Sequence, residues 1–263
     1  YFELADWPRA SAAIAEVLQR DPRDVSFLLM RAATLVEQGF PVQAQPSLDA
    51  IAVTQPENPR YLYLRARVQF EGYRNSEAAL NYLRSLLRIR PDDLEATAYM
   101  ARILLDSPRA ENIAEGRRLL AILTEQGTAS LLTTELALKD ALYREDWRSA
   151  ERLAEQVLAQ RRSPDDIKSA WQVYAALKNV ERATALAREL LALDPLNHTY
   201  AAFWAETLIT AGRRTEALTF IDERLSTMSG GSTKSSFHFL RSTLRNDQEA
   251  ALGDLRSSLF EDP

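Results

Sequence analysis

Apolar residues return along the chain in steps of three, four and seven, and a small residue anchors each set at a nearly constant interval. Ala10, Ala44, Ala79, Gly116, Ala150, Ala183, Ala217 and Ala251 stand 34, 35, 37, 34, 33, 34 and 34 residues apart. Four residues after each comes Ile14, Leu48, Leu83, Leu120, Ala154, Ala187, Ile221 or Leu255. Three further on stands Val17, Ile51, Leu86, Leu123, Val157 or Leu190, with Arg224 and Ser258 breaking the series. Spacings of four and seven place these side chains on one stripe of a helix. Twelve residues after the small one, Pro22, Pro56, Pro91, Pro195 and Pro263 supply a stop. Proline lacks an N–H and disfavours helix in the residue before it. Thr128, Arg162 and Ser229 hold that place in the other three sets, with Pro164 two residues late.

A second helix precedes each of these. Ala205 lies twelve residues before Ala217, Leu208 follows three later, and Gly212 opens the turn. The set around Ala44 reads Leu28, Ala32, Leu35, Gly39 and Ala44, then Leu48 and Pro56. Small residues in both helices permit close approach where the two cross, and a larger residue would push the axes apart. A fixed period near 34 predicts an all-α stack of helix–turn–helix units.

This order of large, small and glycine positions, followed by Ala-x3-large and a closing proline, resembles the tetratricopeptide repeat family over nearly the whole chain. The resemblance implies an α-solenoid wound as a right-handed superhelix, residues 1–263 forming a single array of one partial and about seven complete repeats. Tyr1 to Trp7 read as the tail of a first helix and its turn, so the chain is expected to be part of a longer protein. Three places depart from the pattern. Asp106 to Asn112 form an expanded turn, Trp171 falls where a small residue is expected, and Ser229 to Ser236 read as a flexible joint before the last repeat.

Composition narrows the function. The formal charge of −5 argues against a general nucleic-acid binder, which would present a basic stripe. With no cysteine, neither a disulfide framework nor a thiolate metal site is available. No run approaches the roughly 18 consecutive apolar residues that span a bilayer. Only four of the 32 basic residues are lysine, a bias that points to a bacterial source. A periplasmic or membrane-anchored setting is expected over a cytoplasmic one.

Catalytic groups are scarce. His198, beside Asn197 at a helix start, reads as part of a cap, and His238, in Phe237-His238-Phe239, as a solvent-facing position. Asp92-Asp93 and Asp165-Asp166 fall just before helices, where carboxylates satisfy exposed N–H groups and suit the positive end of the dipole. No catalytic, metal or cofactor site is expected. Trp7 and Trp147, each three residues before the small position, read as aromatics packed over a turn.

In the family that the chain resembles, first helices line a concave groove. Carried over position by position, the groove would present Arg60, Tyr63, Arg67 and Phe70 from one unit, Arg102 from the next, and Lys139 and Tyr143 from the one after. Arginine and tyrosine are favoured interface anchors, and arginine holds a carboxylate with two parallel hydrogen bonds. Glu71, Glu95 and Glu135 lie near enough to compete for these cations. The clamp for chaperone tails is not expected, because Leu29, Ala33 and Glu37 occupy its places. The reading is a non-enzymatic scaffold holding a protein or peptide with acidic groups, in a bacterial envelope or secretion assembly. The alternatives are a ligand-carrying accessory of a transporter and the regulatory array of a longer enzyme. The last helix, with Leu252, Leu255, Leu259 and Phe260, could also mediate self-association.

Overall fold

The computed structural model describes residues 7–125, 130–228 and 231–261. Among them all regular structure is helical. After α1 (Trp7–Arg20) come α2 (Val25–Glu37) and α3 (Gln45–Thr54), α4 (Pro59–Arg67) and α5 (Ser76–Ile89), α6 (Leu94–Leu105) and α7 (Ala110–Glu125). Then follow α8 (Leu131–Tyr143) and α9 (Trp147–Gln160), α10 (Pro164–Ala176) and α11 (Val180–Leu193). The chain closes with α12 (His198–Thr210) and α13 (Arg214–Thr227), α14 (Ser232–Leu244) and α15 (Gln248–Glu261). A 3₁₀ turn, Pro41–Ala44, leads into α3, and a π turn, Val68–Gly72, ends α4. The helices gather into two compact units, residues 1–136 and 137–263, dividing inside α8.

Helix boundaries follow from local chemistry. α1, α3, α5 and α11 each stop two residues before a proline: Pro22, Pro56, Pro91 and Pro195. Their successors begin on a polar cap. Asp24 accepts from the Phe27 N–H at 3.1 Å, Asn58 from Arg60 at 3.0 Å, and Asp93 from Ala96 at 2.9 Å. At α10 the cap is Ser163, and Asp166 reaches back to the Ser163 N–H at 3.0 Å in a reciprocal box. Each such cap is worth about 1 kcal/mol.

Between paired helices the turn needs a left-handed residue five positions before the small one. Gly39 and Gly212 fill it with φ of 81° and 73°, but Arg74, Glu145 and Lys178 fill it elsewhere at 54–55°. A side chain in that conformation costs about 1–2 kcal/mol.

The small positions do what close approach requires. Ala10, Ala44, Ala79, Gly116, Ala150, Ala183 and Ala217 are buried, whereas Ala251 is half-buried. A Cβ on Gly116 would meet Leu105 Cγ at 3.0 Å, Leu104 Cβ at 3.1 Å and the Leu105 backbone nitrogen at 3.2 Å. First helices pack against their own second helix and against neighbouring first helices, as α2 does on α4 and α12 on α14. They are buried nearly all round as a result: in α6 every residue from Ala96 to Leu104 except Arg102 is buried.

The three departures resolve differently. The extra residues before Gly116 enter α7, which starts at Ala110, leaving only 106–109 as turn. Ala170, fully buried, takes the small position one residue ahead of Trp171. α14 starts at Ser232, so most of the supposed joint is helix; Ser229 and Gly230 lie outside the described residues, as do Tyr1 to Asp6.

The last pair is docked firmly. Asp254 of α15, only 6% exposed, receives Arg241 of α14 at 2.6 Å and Arg245 at 3.0 Å, and Arg241 also reaches Asp222 of α13 at 2.7 Å. His238 corrects the sequence reading. It is not solvent-facing but largely buried 3.8 Å from Asp254, while Phe239 faces outward. Burial, followed by repulsion from Arg241, lowers its proton affinity and keeps the ring neutral.

Candidate protein-binding face

The face is built on α4. Asn58 caps it and Pro59 occupies the first position; Arg60, Tyr63 and Arg67 follow on one side at steps of three and four, Arg60 exposed, Tyr63 buried and Arg67 partly covered. The helix then widens, with the Tyr73 N–H donating five residues back to Val68 O at 3.2 Å. π turns of this kind occur frequently at functional sites. Gly72 allows a close approach here: a Cβ would lie 3.1 Å from Val42 Cγ2 of the preceding 3₁₀ turn, which would have to shift slightly. The widened turn carries Phe70 and Glu71.

These residues meet α6. The Tyr99 hydroxyl donates to Glu71 Oε1 at 2.7 Å. The same carboxylate accepts two bonds from Arg67, at 3.0 and 3.3 Å, and Glu37 of α2 accepts a third from Arg67. Rings form the floor: Tyr99 packs edge-on against Tyr63 at 5.6 Å and against Phe70 at 6.1 Å. Arg102 lies over two of these rings, 5.9 Å from the Phe70 centroid and 5.7 Å from Tyr99. Arg60 covers Tyr63 at 5.5 Å and pairs with Glu95 at 3.6 Å.

The electrostatics separate the arginines. Burial alone would lower the Arg67 guanidinium, but its bonds to Glu71 and Glu37 outweigh that and raise it above its ordinary value. Burial, then the charge of Glu71, pushes the Tyr99 hydroxyl well above the usual phenol range; burial and Glu95 do the same to Tyr63. Both tyrosines are neutral donors. Arg102 has no carboxylate partner among the described residues, and its contacts are the two rings.

Residues 29–94 match the tetratricopeptide repeat family model, and solved structures of low sequence identity share the fold. Over residues 29–94 the chain carries tetratricopeptide repeats. It is similar to the APC/C hetero-tetramer Cut9–Hcn1 with 12% identity and a TM-score of 0.73, covering 98% of this chain and 47% of that one. For the human IFIT1 dimer with PPP-AAAA the identity is 16% and the TM-score 0.61, over 90% of this chain and 59% of that one. For yeast Tom70 they are 11% and 0.51, over 97% and 58%. The chain thus spans about half of those proteins, and likeness at such identity concerns the fold. A search of the curated proteins finds no match.

On the helices of the structure the expected contact residues divide. Arg67, Phe70 and Arg102 converge on Tyr99, which the groove register did not pick out. Tyr63 is buried beneath them and Arg60 stands at the helix start. Lys139 and Tyr143 belong to α8 in the other unit, both exposed. The partnering of Arg67 by Glu37, 30 residues away, leaves no one-dimensional signal, although Glu71 at i+4 does. Among the described residues no helix is long and apolar enough to cross a membrane.

Proposed function

We propose that this chain is a non-enzymatic scaffold that holds a partner protein against the first-helix face of its N-terminal unit, with Arg102 anchoring an acidic group. The observation that carries this is the guanidinium of Arg102, seated over Phe70 and Tyr99 while Arg60 and Arg67 spend their charge on Glu95, Glu71 and Glu37. A planar cation already ordered by ring stacking offers its N–H groups to a carboxylate with little further entropy loss. Glu71 and Tyr99 hold the platform below it. The setting proposed is an assembly at a bacterial cell envelope, supported by the cysteine-free, arginine-rich composition.

The test is binary binding of proteins captured with the wild-type chain, measured against Arg102→Gln. Loss of about tenfold in affinity, equivalent to about 1.4 kcal/mol, supports the anchor. Equal binding by the variant for every captured protein removes this face from consideration. A second reading, self-association through α15, is supported by its exposed Leu252, Leu259 and Phe260, the last 86% exposed. Sedimentation equilibrium of Phe260→Ser against wild type decides it, a monomer in both cases ruling it out.

A further inference from the structure

A cleft in the C-terminal unit, between α10 and α12, has a different chemistry. Glu206 of α12 lies on its wall with Thr207 and Thr210, opposite Trp171 and Tyr174 of α10. Its accessible volume is ≈ 40 Å³, against the roughly 300–1,000 Å³ of small-molecule sites. That space suits the tip of one side chain and not a cofactor.

The walls are set. The Trp171 indole N–H donates to Thr207 Oγ1 at 2.9 Å, Thr207 Oγ1 donates to Phe203 O at 2.7 Å, and Trp171 stacks on Phe203 at 4.2 Å. The Tyr174 hydroxyl is committed to Glu155 of α9. Thr210 Oγ1 donates to the Glu206 carbonyl at 2.9 Å, which leaves its lone pairs available. The Glu206 carboxylate is different: among the described residues no hydrogen bond or ion pair reaches it. The residue is exposed overall, yet partial burial of its carboxyl raises its proton affinity.

We propose that this cleft receives a lysine side chain of a partner protein, its ammonium bonded to Glu206 and to the Thr210 hydroxyl and its methylenes against the Trp171 and Tyr174 edges. Charge complementarity selects a cation, and volume selects the compact ammonium over the broader guanidinium. A partly desolvated carboxylate gains more from a cation than one in bulk water. Lys178, in the turn after α10, also lines the cleft, but its charge does not offset the burial of the Glu206 carboxyl. This contact is independent of the Arg102 face and asks for the opposite charge.

The experiment is an NMR titration of the whole chain with Nα-acetyl-lysine methylamide, following the Trp171 indole N–H and the Thr210 amide. Nα-acetyl-norleucine and Nα-acetyl-glutamate methylamides serve as controls. The expected result is saturable shifts with a Kd on the order of 1–10 mM for the lysine compound, weakened at least tenfold for norleucine. Glu206→Gln, checked for an unchanged thermal midpoint, should abolish the lysine preference. The carboxyl of Glu206, read by its own ¹³C signal, should titrate at lower pH with the lysine compound bound. Equal shifts by norleucine, unaltered lysine binding in Glu206→Gln, or no saturable shift by lysine each overturn the proposal.

Discussion

Arg67 and Arg102 share a face but sit in opposite energetic situations. Removing Arg67 leaves Glu37 and Glu71 without their cation, and Glu71 keeps only the Tyr99 hydroxyl. The Arg67 side chain is 16% exposed and Glu71 22%, so the loss exceeds that of a surface pair. Arg67→Ala should cost about 1–2 kcal/mol, below the 3–5 typical of a fully buried broken pair. Arg102→Gln loses ring contacts worth about 0.5–1 kcal/mol. Denaturant unfolding of both variants checks the order; equal costs would mean that Arg102 is structural too. Reversing Arg67 to glutamate would crowd a third carboxylate onto two, which makes Arg102 the usable probe of binding. A second residue-scale expectation concerns the left-handed turns. Arg74→Gly and Glu145→Gly relieve a strained conformation but loosen the unfolded chain. The net gain should be about 0.5–1 kcal/mol each, seen as a higher denaturant midpoint; a loss would show that these side chains make contacts that outweigh the strain.

At the scale of elements, one buried carboxylate, Asp254, reinforces the packing of α15 on α14. Burial would raise Asp254, but hydrogen bonds from Arg241 and Arg245 outweigh it and hold its carboxyl below the usual aspartate range. A depressed folded-state value means that the stabilisation is complete above the unfolded value near 3.9 and is lost as pH falls through the folded one. Asp254→Asn should therefore cost about 1–3 kcal/mol at pH 7, discounted for the solvent that reaches Arg245. The difference from wild type should shrink as pH drops below about 4. Thermal melts across that range test this, and a gap that persists at pH 2 would point to shape rather than charge. Element ends were legible in the sequence because proline and the Asp, Asn and Ser caps act locally. Trp171 misled because the small residue here lies thirteen positions before Ala183 and not twelve, so Ala170 took the crossing. His238 misled because its surroundings come from Asp254, which only tertiary pairing brings near. The candidate face was legible as a list of arginines, but which arginine keeps its charge available depended on Glu37 and Tyr99 from other helices.

For the whole molecule, repeats stabilise one another through nearest neighbours, so a local defect should spread only as far as those contacts reach. The chain gathers into two compact units, and Gly116 lies in the first. Gly116→Ile would drive side-chain atoms into Leu104 and Leu105 and into the α6 backbone, forcing the α6–α7 crossing apart. Overpacking of that kind costs about 1–3 kcal/mol, more than the helix propensity gained by replacing glycine. Hydrogen exchange reads where the cost falls. Amides of α4 to α7 should lose protection, while those of α12 to α15, tied by Phe237 and the Asp254 pairs, should keep theirs. Uniform loss across the chain would show a single cooperative unit instead. The same localisation bears on binding: the Arg102 face lies in the weakened unit and the Glu206 cleft in the other. In Gly116→Ile the Arg102 contact should weaken while the lysine titration of the cleft stays unchanged, and loss of both would mean that the two units do not fold independently.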